Sequence, residues 1–194
     1  WQFIAAPTRG AGKRSNDKAE CMVNLGELMR QFRQVALRGN PAECAEPLSG
    51  VTRQVQGLKS EGVFGGLKIV IDEPEVFGGT GSAPNPAEVA LAALGASMEV
   101  TLRCYAEAQG VPVKSISVAL KGALDSRGFF GTDPSIRPGF GPISATVTVE
   151  SSAPAEQIEA LLKQVNQCCP VLDVFRSPQT VNVTLSHVSG AAET

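Results

Sequence analysis

The residues able to do chemistry in this chain are a serine, a few thiols, one carboxylate and one imidazole: Ser97, Cys104, Cys168, Cys169, Glu88 and His187. Cys169 precedes Pro170-Val171-Leu172. Proline suits the first position of a helix, where its missing N–H would be unpaired anyway, so a short helix through Phe175 is predicted with Cys169 as its cap. Amides and the positive end of such a helix favour thiolate, the reactive form of cysteine. A second reading, a buried cysteine that only packs, stays open beside it. A bond between the adjacent Cys168 and Cys169 would require a strained backbone. Ser97 needs a base within hydrogen-bond reach to act as a nucleophile. Glu88 lies nine residues earlier, about 13 Å along a helix axis and out of reach within its own helix. His187 stands near the chain end and reads as a solvated strand terminus. Cys104, seven residues after Ser97, sits about 10.5 Å along the same helix face.

These positions depend on a long helix. Asn85-Pro86-Ala87-Glu88 contains a capping residue, a proline at the first helical position and a glutamate at the third, so a helix is predicted from Pro86. It runs apolar nearly all round to Gln109, which predicts a central buried helix, and Gly110 should stop it. Glu88 thus has a structural role in the capping box beside any functional one. A second helix is expected from about Pro154 to Cys168, with Ile158, Leu161, Leu162 and Val165 on one face. Extended stretches are expected within Val51–Ile71, as a hairpin turning at Lys59-Ser60-Glu61-Gly62, then at Val113–Lys121 and Ile143–Glu150. A last strand should alternate Val181, Val183 and Leu185. The Gly/Pro-rich loop between the middle strands carries Arg127, Phe129, Phe130 and Phe140, which predicts a loop pinned at an interface or over a pocket.

Before these elements, Lys18–Arg38 places apolar residues at intervals of three and four, an amphipathic helix ended by Gly39-Asn40-Pro41. Residues 1–17 read as a mobile or draped arm. Gly10-Ala11-Gly12-Lys13-Arg14 lacks the spacing of a phosphate loop and has no strand before it. The expected organisation is therefore an arm and helix over residues 1–50 and a domain over 51–194, of α+β class.

Composition removes several functions. With 17 Lys and Arg against 19 Asp and Glu, the chain lacks the basic surface that nucleic-acid binding exploits. Five cysteines without a CxxC, and a single histidine, offer too few ligands for a zinc site, and no cofactor is expected. The odd cysteine count fits a reducing compartment. No uninterrupted apolar run of membrane length occurs, and a cytoplasmic protein with no membrane partner is expected. The start at Trp1 leaves open a targeting segment removed ahead of it.

Three stretches in order, Ile71-Asp72-Glu73-Pro74, Pro84–Met98 and Cys169-Pro170-Val171-Leu172, resemble the OsmC/Ohr family of thiol-dependent peroxidases. Gly128-Phe129-Phe130-Gly131 with Arg137-Pro138-Gly139-Phe140 resembles a loop of part of that family. The likeness spans roughly Val51 to Ser186 and implies an intertwined homodimer, central helices wrapped by antiparallel sheets, with sites at the subunit boundary. It implies organic hydroperoxides as substrates and a dithiol reductant. It also implies two cysteines: one that attacks the peroxide and one that resolves the sulfenic acid. Cys169 matches the second. The first position is Ser97, and a hydroxyl cannot be oxidised to a sulfenic acid. Glu88 matches an acidic residue of the broader OsmC group; the Ohr pattern has its carboxylate one residue earlier, at Ala87 here. The family's thiolate-orienting arginine could be Arg53, Arg127 or Arg137.

Three readings of Ser97 follow: an introduced replacement of cysteine, a natural serine in a member that has abandoned peroxide reduction, or a nucleophile in another reaction. The leading expectation is a peroxide-reductase relative that is redox-inactive or depends on Cys169. The alternatives are a hydrolase or acyl-transfer enzyme using Ser97, and a non-catalytic binder of a small apolar molecule between subunits. The expected site residues are Ser97, Cys169 and Glu88.

Overall fold

The computed structural model describes residues 24–177 and 179–189. The predicted arm, Cys21 and the first residues of the predicted N-terminal helix lie outside them. That helix is seen as α1, Leu25–Leu37, with the Asn24 side chain accepting from the Glu27 N–H at its start. A short α2, Pro41–Cys44, follows. α1 packs on the long central helix α3, Pro86–Gln109. Their backbones approach so closely that a Cβ on Gly26 would stand 2.6 Å from the Glu107 carbonyl oxygen.

The region 50–71 is a three-stranded antiparallel meander, β1 Gly50–Gln56, β2 Lys59–Phe64 and β3 Leu67–Ile71, and not a single hairpin. Lys59–Gly62, expected as the turn, lies inside β2 and pairs with both neighbours. The chain reverses at Gly57-Leu58 and at Gly65-Gly66, where both glycines have positive φ (56° and 77°), the backbone that tight hairpins demand. Every residue of β1 is exposed.

α3 begins and ends where its sequence directs. The Asn85 side chain accepts from the Glu88 N–H, the Glu88 carboxylate accepts from the Asn85 N–H, and Gly110 caps the end with φ 68°. β4 Ser115–Lys121 and β5 Ser144–Glu150 form a second antiparallel sheet, paired from Ser115↔Glu150 to Lys121↔Ser144. Between them the loop contains the short helix α4, Ser126–Phe129. α5, Ala155–Cys168, and α6, Pro170–Arg176, complete the domain.

The core lies between α3, α5 and α6. Leu94, Met98, Leu102, Ala106, Leu161, Val165 and Cys169 are buried there, with Ile116, Val118, Leu120, Val147 and Val149 of the β4–β5 sheet packed against them. Gly95 lets that sheet approach: a Cβ there would stand 3.0 Å from the Leu120 side chain. The opposite face of α3 is open. Ala92, Ala93, Ala96 and Val100 are exposed, so the helix expected to be buried all round is buried on one side by this chain. α3 is also long and apolar enough to cross a membrane by length and composition, but sheet and helices pack along it as around a core helix. Val181–Leu185, expected as a strand, joins no sheet among the described residues.

Candidate active site

The end of α5 delivers Cys169 to the middle of α3. Cys169 is at once the last residue after α5 and the N-cap of α6, with an extended backbone (φ −74°, ψ 114°) that turns the chain. The predicted placement of Pro170 at the first helical position is observed. The expected amide contacts to sulfur are not: the Cys169 side chain makes no capping hydrogen bond. Its sulfur points inward, and the residue is 3% exposed. There Ser97 Oγ and Cys169 Sγ lie 3.2 Å apart, across 72 residues of sequence.

Ser97 is half-buried, on the face of α3 next to Leu94, Met98 and Thr101. Its backbone carbonyl accepts from the Thr101 hydroxyl at 2.7 Å. Its side chain has the Cys169 sulfur as its hydrogen-bond partner. Two sulfurs at these positions would be close enough to bond after a small rotamer change, because a disulfide requires about 2.05 Å between them.

The structure does not bring Glu88 to this pair. Its carboxylate is engaged with the Asn85 N–H at the exposed start of α3. His187 is exposed on the segment after α6. Among the arginines, Arg127 is held by Asp125 (2.6 Å) and reaches towards Asp133. Arg127 lowers the Asp125 pKa to about 2, through its guanidinium hydrogen bond first and then through its backbone N–H. Arg53 stands on exposed β1. Arg137 lines a cavity of about 1430 Å³ whose walls also include Leu94 and Met98 of α3, Leu172 of α6 and Phe140 of the long loop. The loop thus covers a pocket beside the site, as its aromatic content predicted, while Phe129 and Phe130 stay exposed in an edge-to-face pair.

The other thiols have separate settings. Cys44, Cys104, Cys168 and Cys169 are all unbridged. Burial, and secondarily the Glu107 charge, raises the Cys104 pKa, so its thiol is held in the unreactive form. Cys168 is exposed, and its proximity, with burial, raises the Tyr105 pKa. Among the described residues, no cluster of three or more His, Cys, Asp or Glu is arranged to hold a metal.

Sequence reasoning missed the anchor ahead of α3. Asp72, fully buried, accepts from the hydroxyls of Thr80 (2.5 Å) and Ser82 (2.9 Å) and from the N–H groups of Glu73, Thr80 and Ser82. These bonds, the Thr80 hydroxyl foremost, hold its carboxyl well below the usual range. They fasten the loop 73–84 to the end of β3 and so fix where α3 begins. The sequence marked Asp72 within the Ile71-Asp72-Glu73-Pro74 stretch, at the end of an apolar strand and ahead of a Gly/Thr/Ser run, but not the bonds it makes.

The sequence matches the family of OsmC-like proteins over residues 79–184, more than half of the chain. No curated protein matches it. Its fold is similar to an OsmC-like protein from Mycoplasma pneumoniae, at 18% identity with a TM-score of 0.59, over 73% of this chain and 99% of that one. An organic hydroperoxide resistance protein OsmC from Legionella pneumophila is 20% identical with a TM-score of 0.52, over 69% of this chain and 93% of that one. An organic hydroperoxide resistance protein from Elizabethkingia anophelis is 15% identical with a TM-score of 0.51, over 69% and 91% of the two chains.

Proposed function

This chain belongs to the family of OsmC-like proteins, and from that premise we propose that it carries a hydroperoxide-reductase site in which Ser97 replaces the attacking thiol, leaving Cys169 as the one sulfur at the reaction centre. The observation that carries this reading is the 3.2 Å contact between Ser97 Oγ and Cys169 Sγ. A two-thiol cycle needs a thiolate to attack the peroxide, forming an S–O bond as the O–O bond breaks and alcohol departs. The second thiol then attacks the sulfenic sulfur, releasing water and forming a disulfide, which an external dithiol reduces. Ser97 cannot make the first of these bonds. The two-thiol cycle is therefore silent, and whatever redox chemistry the site retains runs through Cys169, with the Ser97 hydroxyl as its polar neighbour.

A homodimer accompanies this reading. The exposed small-residue face of α3, Ala92, Ala93, Ala96 and Val100, and the exposed apolar residues of the β1–β3 sheet, Val51, Val63, Phe64 and Leu67, support it, because monomeric proteins rarely leave contiguous apolar surface of this kind open. The hydrolase reading has little support: the partner of Ser97 is a thiol, and Glu88 and His187 are engaged or placed elsewhere. Binding of a small apolar molecule is favoured as a second role by the cavity beside the pair. A ligand that occupies it should raise the melting temperature, and no shift across a panel of apolar ligands would remove this role.

The test is reduction of cumene hydroperoxide with a dithiol reductant by the chain and by its Ser97→Cys variant. Activity confined to the variant is expected. Sustained turnover by the unaltered chain that survives Cys169→Ala would overturn the proposal.

A further inference from the structure

Among the described residues, Cys169 has no neighbour able to finish its oxidation. A cysteine that takes oxygen from a hydroperoxide becomes a sulfenic acid, which then condenses with a second thiol or with a backbone nitrogen. Ser97, 3.2 Å from the Cys169 sulfur, offers oxygen where a thiol is needed. Cys168 is the adjacent residue, and a bond between neighbours strains the backbone; it is also exposed while Cys169 is buried. Cys104 follows Ser97 by seven residues on α3, about 10.5 Å along the axis. Cys44 is exposed on α2. The nitrogen route is closed as well. Ring closure uses the nitrogen of the following residue and removes its hydrogen as water forms, and that residue is Pro170, which has no N–H.

The surroundings of the sulfur admit a hydroperoxide more readily than a resolving thiol from outside. Cys169 is 3% exposed and belongs to the buried cluster of Leu94, Met98 and Val165. Ser97 is half-buried, so the pair is reached from the side of its hydroxyl. That hydroxyl can donate to a Cys169 thiolate or to a sulfenic oxygen, and can accept from a sulfenic O–H. A hydroperoxide arrives neutral. An attacking thiol must act as thiolate, a charge that apolar surroundings exclude unless it is paired, and the Ser97 hydroxyl is already engaged with the oxidised sulfur.

We propose that Cys169 of the unaltered chain takes one oxygen from an organic hydroperoxide and stops at the sulfenic acid, so that the site records exposure to hydroperoxide and does not turn it over. This inference rests on the hydroperoxide site proposed above and names the fate of its remaining sulfur. The Cys169 thiolate attacks the terminal peroxide oxygen; an S–O bond forms, the O–O bond breaks, and alkoxide leaves. The thiol proton ends on the departing alcohol and the peroxide proton stays on the sulfenic oxygen. Sulfur is oxidised and the peroxide is reduced, with no further reactant. The Ser97 hydroxyl holds the product by a hydrogen bond.

The experiment exposes the reduced full chain, its Ser97→Cys variant and its Ser97→Ala variant to one equivalent of cumene hydroperoxide. Each sample is then held with or without dithiothreitol and unfolded in dimedone, which caps sulfenic acid, and peptide mass locates the cap. The unaltered chain should carry the cap at Cys169, and dithiothreitol added before unfolding should leave most of it in place. Ser97→Ala, which deprives the buried sulfenic acid of its hydrogen-bond partner, should carry about tenfold less. An uncapped Cys169 in the unaltered chain, while Ser97→Cys joins position 97 to Cys169, would overturn the inference and leave the hydroperoxide site standing. No reaction in either protein would overturn both. A disulfide from Cys169 to another cysteine of the unaltered chain would overturn the inference, as would a cap fully removed by dithiothreitol from the folded protein. Equal caps with and without the Ser97 hydroxyl would overturn it too.

Discussion

The α3–α5–α6 half of this molecule and the β1–β3 sheet both carry apolar side chains, yet one closes on itself and the other does not. Leu102, Leu161 and Val165 are wholly buried among helices of the same chain. In the sheet, β1 is exposed throughout, and Phe64 and Leu67 are 46% and 75% exposed. An apolar face must be covered by something. The first region finds its cover within 194 residues; the second presents its face outward. The Ser97–Cys169 pair sits in the closed half, so its geometry is set by one chain, and the sheet is the part that this chain leaves open.

Substitutions can break this contrast. Leu102→Ala, in the closed half, should lower stability by about 2–5 kcal/mol through lost burial and the cavity left behind, read as a shift in the urea midpoint. A loss below about 1 kcal/mol would mean that the helical core is looser than its packing indicates. Asp72→Asn should produce the next largest effect, since it removes the charge that the Thr80 and Ser82 donors surround. The sign follows from the lowered pKa of Asp72. Its stabilising contribution is complete above the unfolded-state value, about 3.9, and is lost as pH falls below that value towards the folded one. The unaltered chain should therefore lose stability through that acidic window more steeply than Asp72→Asn. Parallel curves would contradict the anchor.

Smaller effects sharpen the comparison at the helix ends and in the sheet. Asn85→Ala should cost about 1 kcal/mol by removing half of the capping box at the start of α3, measured by thermal or urea unfolding. Val55→Thr, on exposed β1, should change the stability of isolated chains by no more than about 0.5 kcal/mol. The same substitution should weaken self-association measured by sedimentation. Equal association by the two proteins would show that this strand does not meet a partner.

Local rules with fixed chemistry were legible. Asn85, Pro86, Glu88 and Gly110 specify the two ends of α3, and Pro170 specifies the start of α6, because capping and the missing proline N–H act within a few residues. Cys169 and Ser97 were legible as candidates from the order of their motifs. Their contact was not, since the crossing of α5 and α3 depends on packing between residues far apart in sequence. The hairpin was misjudged because Lys59–Gly62 has the polar look of a turn, while the reversals fall at Gly57-Leu58 and Gly65-Gly66. The sulfur environment was misjudged for a related reason: a cap position does not by itself aim a side chain at the helix amides, and Cys169 turns inward to Ser97. The unpaired Val181–Leu185 shows the remaining limit, because alternation reports that a segment suits a sheet and not where its partner strand is.

The most direct test of the account is to oxidise the Ser97→Cys variant with one equivalent of organic hydroperoxide and map its disulfides by peptide mass. One new bond is expected, joining position 97 to Cys169 within a single chain, and it should be absent in the unaltered protein. A bond to Cys104 or Cys168 instead, or no bond while the peroxide is consumed, would contradict the assignment of Ser97 and Cys169 as the two halves of one thiol site.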